Sequence, residues 1–143
     1  VFTVADFQRL ALPASAFTIQ PPGGRVLIDV PTNVYASTEP VVLSTTSLGQ
    51  RVEVEATPSA WSFDFGDGVV LGPTQDPGGP YPDLTNSHAY SAVGVFEVVV
   101  TTTYTGRFRV DGGSWSEVDG TASVTSAPLT LTVHTAEAQL VSE

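Results

Sequence analysis

Residues 51–57 read RVEVEAT and residues 61–65 read WSFDF. In the first run Val52, Val54 and Ala56 alternate with Arg51, Glu53 and Glu55. In the second, Trp61, Phe63 and Phe65 alternate with Ser62 and Asp64. A helix with 3.6 residues per turn would scatter these apolar positions around its circumference, whereas a strand of period two gathers them on one face. A sheet with one apolar face needs a second layer to cover it, so packed antiparallel β-sheets are the expected architecture.

The same signal recurs along the chain at strand-like spacing. VLIDV (Val26–Val30) reads as a strand before a Pro31 turn, and NVYAS resumes extended structure. VVL (Val41–Leu43) follows, and a loop is predicted from Gly72 to about Ser87. VFEVVVTTTYTGRFRV is long enough for one bent strand or two joined ones. Asp111-Gly112-Gly113 reads as a hairpin turn from which SWSEV returns, giving an elaborated hairpin over Tyr104–Gly120. ASVTS and PLTLTV close the pattern, with Leu129, Leu131 and Val133 on one face. The tail AEAQLVSE is expected to add a helical turn or to be disordered.

The first 24 residues stand apart as an arm and connector, leaving 25–143 as the domain proper. Within VFTVADFQRLAL, Thr3 and Asp6 have capping-box spacing and Pro13 marks an end, which favours a short helix over a strand. Phe17–Gln20 is a candidate short strand before a Pro-Gly turn. Phe2, Val4, Phe7 and Leu10 make the arm a candidate assembly element. Two outcomes stay open: packing on its own domain, or addition to a neighbour's sheet edge or groove.

A chain of 143 residues is enough for one domain with a substantial core. Fifteen acids face five arginines and no lysine, for a net charge of −10. Phosphate backbones and anionic lipid would be repelled, so neither nucleic acid nor an anionic membrane surface is an expected partner. No apolar run approaches the roughly 20 residues of a membrane-spanning helix. Without cysteine there is no disulfide, thiolate metal site or thiol nucleophile. Arginine without lysine fits a GC-rich genome, since lysine codons are AT-rich. The chain starts at Val1 with no charged-then-apolar leader, as expected where a leader is removed or lies outside this sequence. LPASA (12–16) looks like a cell-wall sorting signal but has no hydrophobic tail after it.

At WSFDFGDG the pattern becomes specific. It resembles the WDFGDG signature of polycystic kidney disease (PKD) domains, and HAYSAVGVFEVVV (88–100) is similar to that family's H-x-Y-x-x-x-G-x-Y/F-x-V segment. The residues carrying the resemblance are Trp61, Phe63, Asp64, Phe65, Gly66, Asp67, Gly68, His88, Tyr90, Gly94 and Phe96, within a span from about Asn33 to Val133. Phe63 stands where tryptophan is usual, Val93 where proline is usual, and the segment between the two halves is long. The resemblance implies an all-β, immunoglobulin-like antiparallel sandwich, here with an N-terminal extension and an extra long hairpin. It also implies a non-catalytic module of secreted or cell-surface proteins, many of them bacterial.

Asp64 and Asp67 raise the question of chemistry. An aspartate between glycines accepts backbone N–H bonds in an Asx-type turn, and glycine supplies the positive φ that the reversal needs. Calcium is the rival, with Asp76 and Asp83 as further ligands, and some PKD domains bind it. There is no D-x-D-x-D-G run, so the turn reading is preferred and no cofactor is expected. His88 and His134 are the only neutral-pH bases, and no G-x-S-x-G, H-E-x-x-H or phosphate loop accompanies them. The expected role is therefore a structural or adhesive subunit acting through protein–protein contacts, self-association included. The alternative is a carbohydrate-binding accessory using Tyr81, Tyr104 and Trp115 as an aromatic platform. Against that, Trp115 is expected to fold back over Phe108 or Val110.

Overall fold

The computed structural model describes residues 2–135. The sequence expectation for the tail concerns 136–143, outside the described residues. Among the described residues the chain is all-β apart from one short helix. In order, α1 (Val4–Gln8) precedes β1 (Phe17–Gln20), β2 (Arg25–Leu27), β3 (Pro31–Ala36), β4 (Val41–Ser47) and β5 (Gln50–Asp64). Then come β6 (Val70–Thr74), β7 (Ser87–Ala89), β8 (Gly94–Val110), β9 (Ser116–Glu117), β10 (Ala122–Thr125) and β11 (Leu129–His134). No helix among the described residues is long and apolar enough to cross a membrane.

Two strands form the spine. The separate runs RVEVEAT and WSFDF belong to one 15-residue strand, β5, which pairs antiparallel with the 17-residue β8 from Val52↔Val110 to Asp64↔Val99. Shorter strands line both sides of this ladder. β4 and β6 pair along β5, while β11, β10 and β9 pair in turn along β8, and β2 adds in parallel to β11. A second sheet, β1-β3-β7, is antiparallel throughout.

The alternation in β5 changes phase midway. Val52, Val54 and Ala56 are buried, then Trp61 and Phe63, and the ladder slips between Pro58 and Ala60. The extra residue of this bulge keeps the apolar side chains facing inward although their spacing becomes odd. β8 keeps one phase, burying Val98, Val100, Thr102 and Tyr104. One continuous inner face thus carries two core clusters. The first joins Trp61, Phe63, Phe65, Val98 and Leu131 to Ile19 and Val34 of the smaller sheet.

The second cluster lies beyond the reach of that sheet, and here the arm supplies the missing layer. Thr3 caps α1, accepting from the Asp6 backbone N–H while Asp6 accepts from the Thr3 N–H, which is the expected capping box. Phe2, Phe7 and Leu12 pack on Val52, Val54, Ala56 and Tyr104. The Phe7 ring lies over Gly106, where a Cβ would come within 2.6 Å of it. Opposite Gly106 stands Ala56, so the sheet offers a dent two residues wide into which one phenyl ring fits. Of the two outcomes open for the arm, the structure shows packing on its own domain. With β1 paired to β3, the first 24 residues share both cores with the rest.

Three local readings are corrected. The strand predicted over Val26–Val30 ends at Leu27, because Asp29 takes a left-handed φ of 62° and turns the chain. Pro31 starts β3 rather than making a turn, a position where proline's missing N–H costs no ladder bond. The loop predicted from Gly72 begins inside β6, which stays paired to β5 through Trp61↔Thr74 across an irregularity in the ladder.

Candidate functional site

The signature residues converge where β5 ends. Gly66 and Gly68 have φ of 84° and 93°, and a side chain at Gly66 would meet the Glu97 backbone. Asp64 Oδ1 accepts from Gly66 N–H at 2.9 Å, and Asp67 Oδ1 accepts from Val69 N–H at 3.2 Å. These are the two Asx turns expected. The other carboxyl oxygen of Asp67 lies 2.7 Å from His88 Nε2, with both side chains about 85% covered. An ionised carboxylate only accepts, so Nε2 carries the proton. Burial acts to raise the Asp67 pKa, but the His88 and Val69 hydrogen bonds outweigh it and hold the carboxyl below its ordinary range.

His88 is itself walled in. Its ring centroid lies 4.7 Å from Phe65 and 4.8 Å from Tyr90. Tyr90 is fully buried and donates its hydroxyl to the Phe65 carbonyl at 2.7 Å, while its ring stacks on Phe96. Burial, with the negative Asp67 and Asp64 nearby, pushes the phenol far above its ordinary pKa. Two segments more than twenty residues apart are thereby locked together, the turn after β5 and the strand β7.

Asp76 and Asp83 follow the same rule. Asp76 Oδ1 accepts from Gly78 N–H, and Asp83 Oδ1 accepts from the backbone and hydroxyl of Thr85, which lowers the Asp83 pKa. All four calcium candidates therefore use an oxygen to hold their own turn. No group of three or more histidines and carboxylates able to hold a metal ion occurs among the described residues.

The three aromatics of the candidate glycan platform are not brought together. Tyr104 is a core residue, 1% exposed, with its hydroxyl donating to the Pro13 carbonyl. The long strand extends the apolar face past the first core, so a residue read as surface falls beneath the arm. Trp115 is partly covered, but not by Phe108 or Val110. The guanidinium groups of Arg107 and Arg109 lie 4.4 and 4.7 Å from its ring centre. A strict two-residue turn at Asp111-Gly112 would set Trp115 opposite Phe108. Instead Phe108 pairs with Ser116, and this slip of one residue moves Trp115 to the arginine face. Phe108 packs on Phe2 on the other side, ring centroids 5.2 Å apart.

Tyr81 alone remains open, 69% exposed. It borders an apolar cleft of about 350 Å³ with Pro21, Val30, Pro31 and Leu84, floored by Gln20 and Asn33. The Tyr81 N–H and the Asn33 amide both donate to Gln20 Oε1.

Residue-by-residue reading missed the charged lattice beneath Trp115. Arg107 Nε donates to Glu55 at 2.8 Å and Arg109 Nε to Glu53 at 2.9 Å. A signal was present: glutamates at 53 and 55 and arginines at 107 and 109 share the same period with opposite sign, as a cross-strand pairing would require. No family model matches the chain, and no curated protein matches it either.

Proposed function

We propose that this chain is an immunoglobulin-like β-sandwich of the PKD type, acting outside the cell as a non-catalytic structural or adhesive module through protein–protein contacts. The observation that carries this reading is that the polar groups of the signature are engaged within the fold. Asp64 and Asp67 hold their own turns, His88 holds Asp67, and Tyr90 holds the Phe65 carbonyl. A general base needs access to a substrate proton, and a nucleophile needs a base beside it. The resemblance of WSFDFGDG and HAYSAVGVFEVVV to the PKD signature supports an extracellular setting. Association through the arm would proceed by exchange, with Phe7 of one copy entering the dent over Gly106 of another.

Light scattering on the purified chain, with His88→Ala and Asp67→Asn alongside, tests the reading. Multimers or partner complexes should form equally well with both variants wherever these remain folded. A folded His88→Ala protein that loses a measured turnover would refute the reading.

A second reading, carbohydrate binding, is favoured only by Tyr81 on its apolar cleft with amide side chains at the base. Glycan binding abolished by Tyr81→Ala but unchanged by Trp115→Ala would support it.

A further inference from the structure

β4 ends the order of the large sheet, bonded to β5 on one side and to no strand on the other among the described residues. Its sequence with the following turn, VVLSTTSLG, contains no charge and no proline. Lysine, proline, bulges or very short length are what normally keep such an edge from pairing. The other edges show these devices: β2 is three residues long and begins with Arg25, β6 contains Gly72-Pro73, β1 runs into Pro21-Pro22, and β7, β9 and β10 are only three, two and four residues long. β4 is seven residues long and carries none of them within the strand; Pro40 directly precedes it, outside the paired residues.

The turn adds a second, independent observation. Leu48 and Gly49 have φ of 51° and 78°, both left-handed, as a two-residue turn requires. Asparagine or aspartate is the ordinary residue in the first of those positions, whereas leucine there carries steric strain. This leucine is 89% exposed, and Val42 at the far end of the strand is 61% exposed. The Leu48 side chain joins neither core cluster of the single chain.

Charge identifies the occupant. The protein is strongly acidic, so two copies repel over most of their surface. Beside β4, however, Glu53 and Glu55 are ion-paired to Arg109 and Arg107, Asp6 is paired to Arg9, and Arg51 stands opposite Thr46. Four of the five arginines thus lie at the end of the molecule that carries this edge and offset much of its acidity, to which Asp111 beside Arg51 and Glu117 opposite Arg107 also contribute.

We propose that β4 pairs antiparallel with β4 of a second copy, forming a two-fold dimer through one continuous sheet. Ser47↔Gln50 closes the two-residue turn and exchanges bonds with β5, so alternation points the N–H and C=O groups of Val42, Ser44 and Thr46 to the open edge. A register centred on Thr45 joins Ser44 to Thr46 of the second copy and brings Leu48 beside Val42 of the second copy, at both ends. The contact is isologous and closes at two. It rests on the protein–protein reading above and names the surface.

The test is sedimentation of the whole chain over a concentration series, with hydrogen exchange at low and high concentration. The wild type should dimerise, with the Val42, Ser44 and Thr46 amides gaining protection as it does. Ser44→Pro, which removes an outward N–H and leaves the β5 ladder intact, should weaken the dimer at least about tenfold. Ser44→Lys should do the same with an unaltered backbone, which covers a Ser44→Pro protein that fails to fold. Leu48→Asn should weaken the dimer while raising the melting temperature of the dilute monomer. A dimer indifferent to both Ser44 variants, with the three amides unprotected, overturns the β4 contact and leaves self-association standing. A wild type that stays monomeric at every concentration overturns both.

Discussion

Replacing Phe7 with alanine should be the most damaging single change in the arm. The ring is fully buried, and its place against the sheet is made by Gly106 and Ala56, which have no side-chain atoms able to move into a void. Buried Phe→Ala substitutions cost about 3–5 kcal/mol, and sites that cannot collapse fall toward the upper end, so about 4 kcal/mol is expected. A five-residue helix has no stability of its own, so its loss also releases Phe2 from Phe108. For a domain of this size about 4 kcal/mol corresponds to a fall in melting temperature of roughly 8–16 °C. Urea unfolding followed by tryptophan fluorescence measures it. Gly106→Ala places a methyl where the ring lies and should alone cost about 1–3 kcal/mol by overpacking. The double variant should be less destabilised than the two singles together by more than about 1 kcal/mol, since the methyl refills part of the void. A Phe7→Ala cost below about 1 kcal/mol, or strict additivity, would refute the packing of the arm on its own sheet.

Asp67→Asn or His88→Ala should each cost about 1–3 kcal/mol in chemical unfolding, by leaving a largely covered polar group without its partner. Because the folded pKa of Asp67 is depressed, its contribution is present above the unfolded value near 3.8 and is lost as pH falls through the lower folded value. Wild-type stability should therefore drop on acidification in that window, and the drop should shrink in Asp67→Asn. Gly66→Ala should cost more than about 2 kcal/mol in the same assay, since it combines a left-handed φ with collision against the Glu97 backbone. Trp115→Ala should cost only about 0.5–2 kcal/mol, the scale of partly exposed cation–π contacts, and should leave both cores intact by near-ultraviolet circular dichroism.

Alternation in RVEVEAT and WSFDF, the Thr3–Asp6 capping box and the Asx turns of Asp64 and Asp67 were all legible in the linear sequence. Each is a local property: period, cap and turn depend on residues within a few positions of one another. What failed was register. The expectation that Trp115 takes apolar cover on Phe108 or Val110 fails because Phe108 pairs with Ser116, as a turn through all of Asp111-Gly112-Gly113 dictates, and this sets Trp115 on the arginine face. Tyr104 reads as surface in the linear sequence because its cover is the arm, about ninety residues away in the chain.

The sequence alone determined that this chain forms strands, where most of them turn, and which carboxylates serve those turns, since short-range sterics and hydrogen bonding settle these matters. Tertiary structure decided that two alternating runs make one strand across a bulge and that the arm becomes a second layer over its far half. It also decided that β4 is the long edge left open among the described residues. Those outcomes depend on which apolar faces lie close enough in space to exclude water together, a property of the assembled sheets that no local stretch of residues contains.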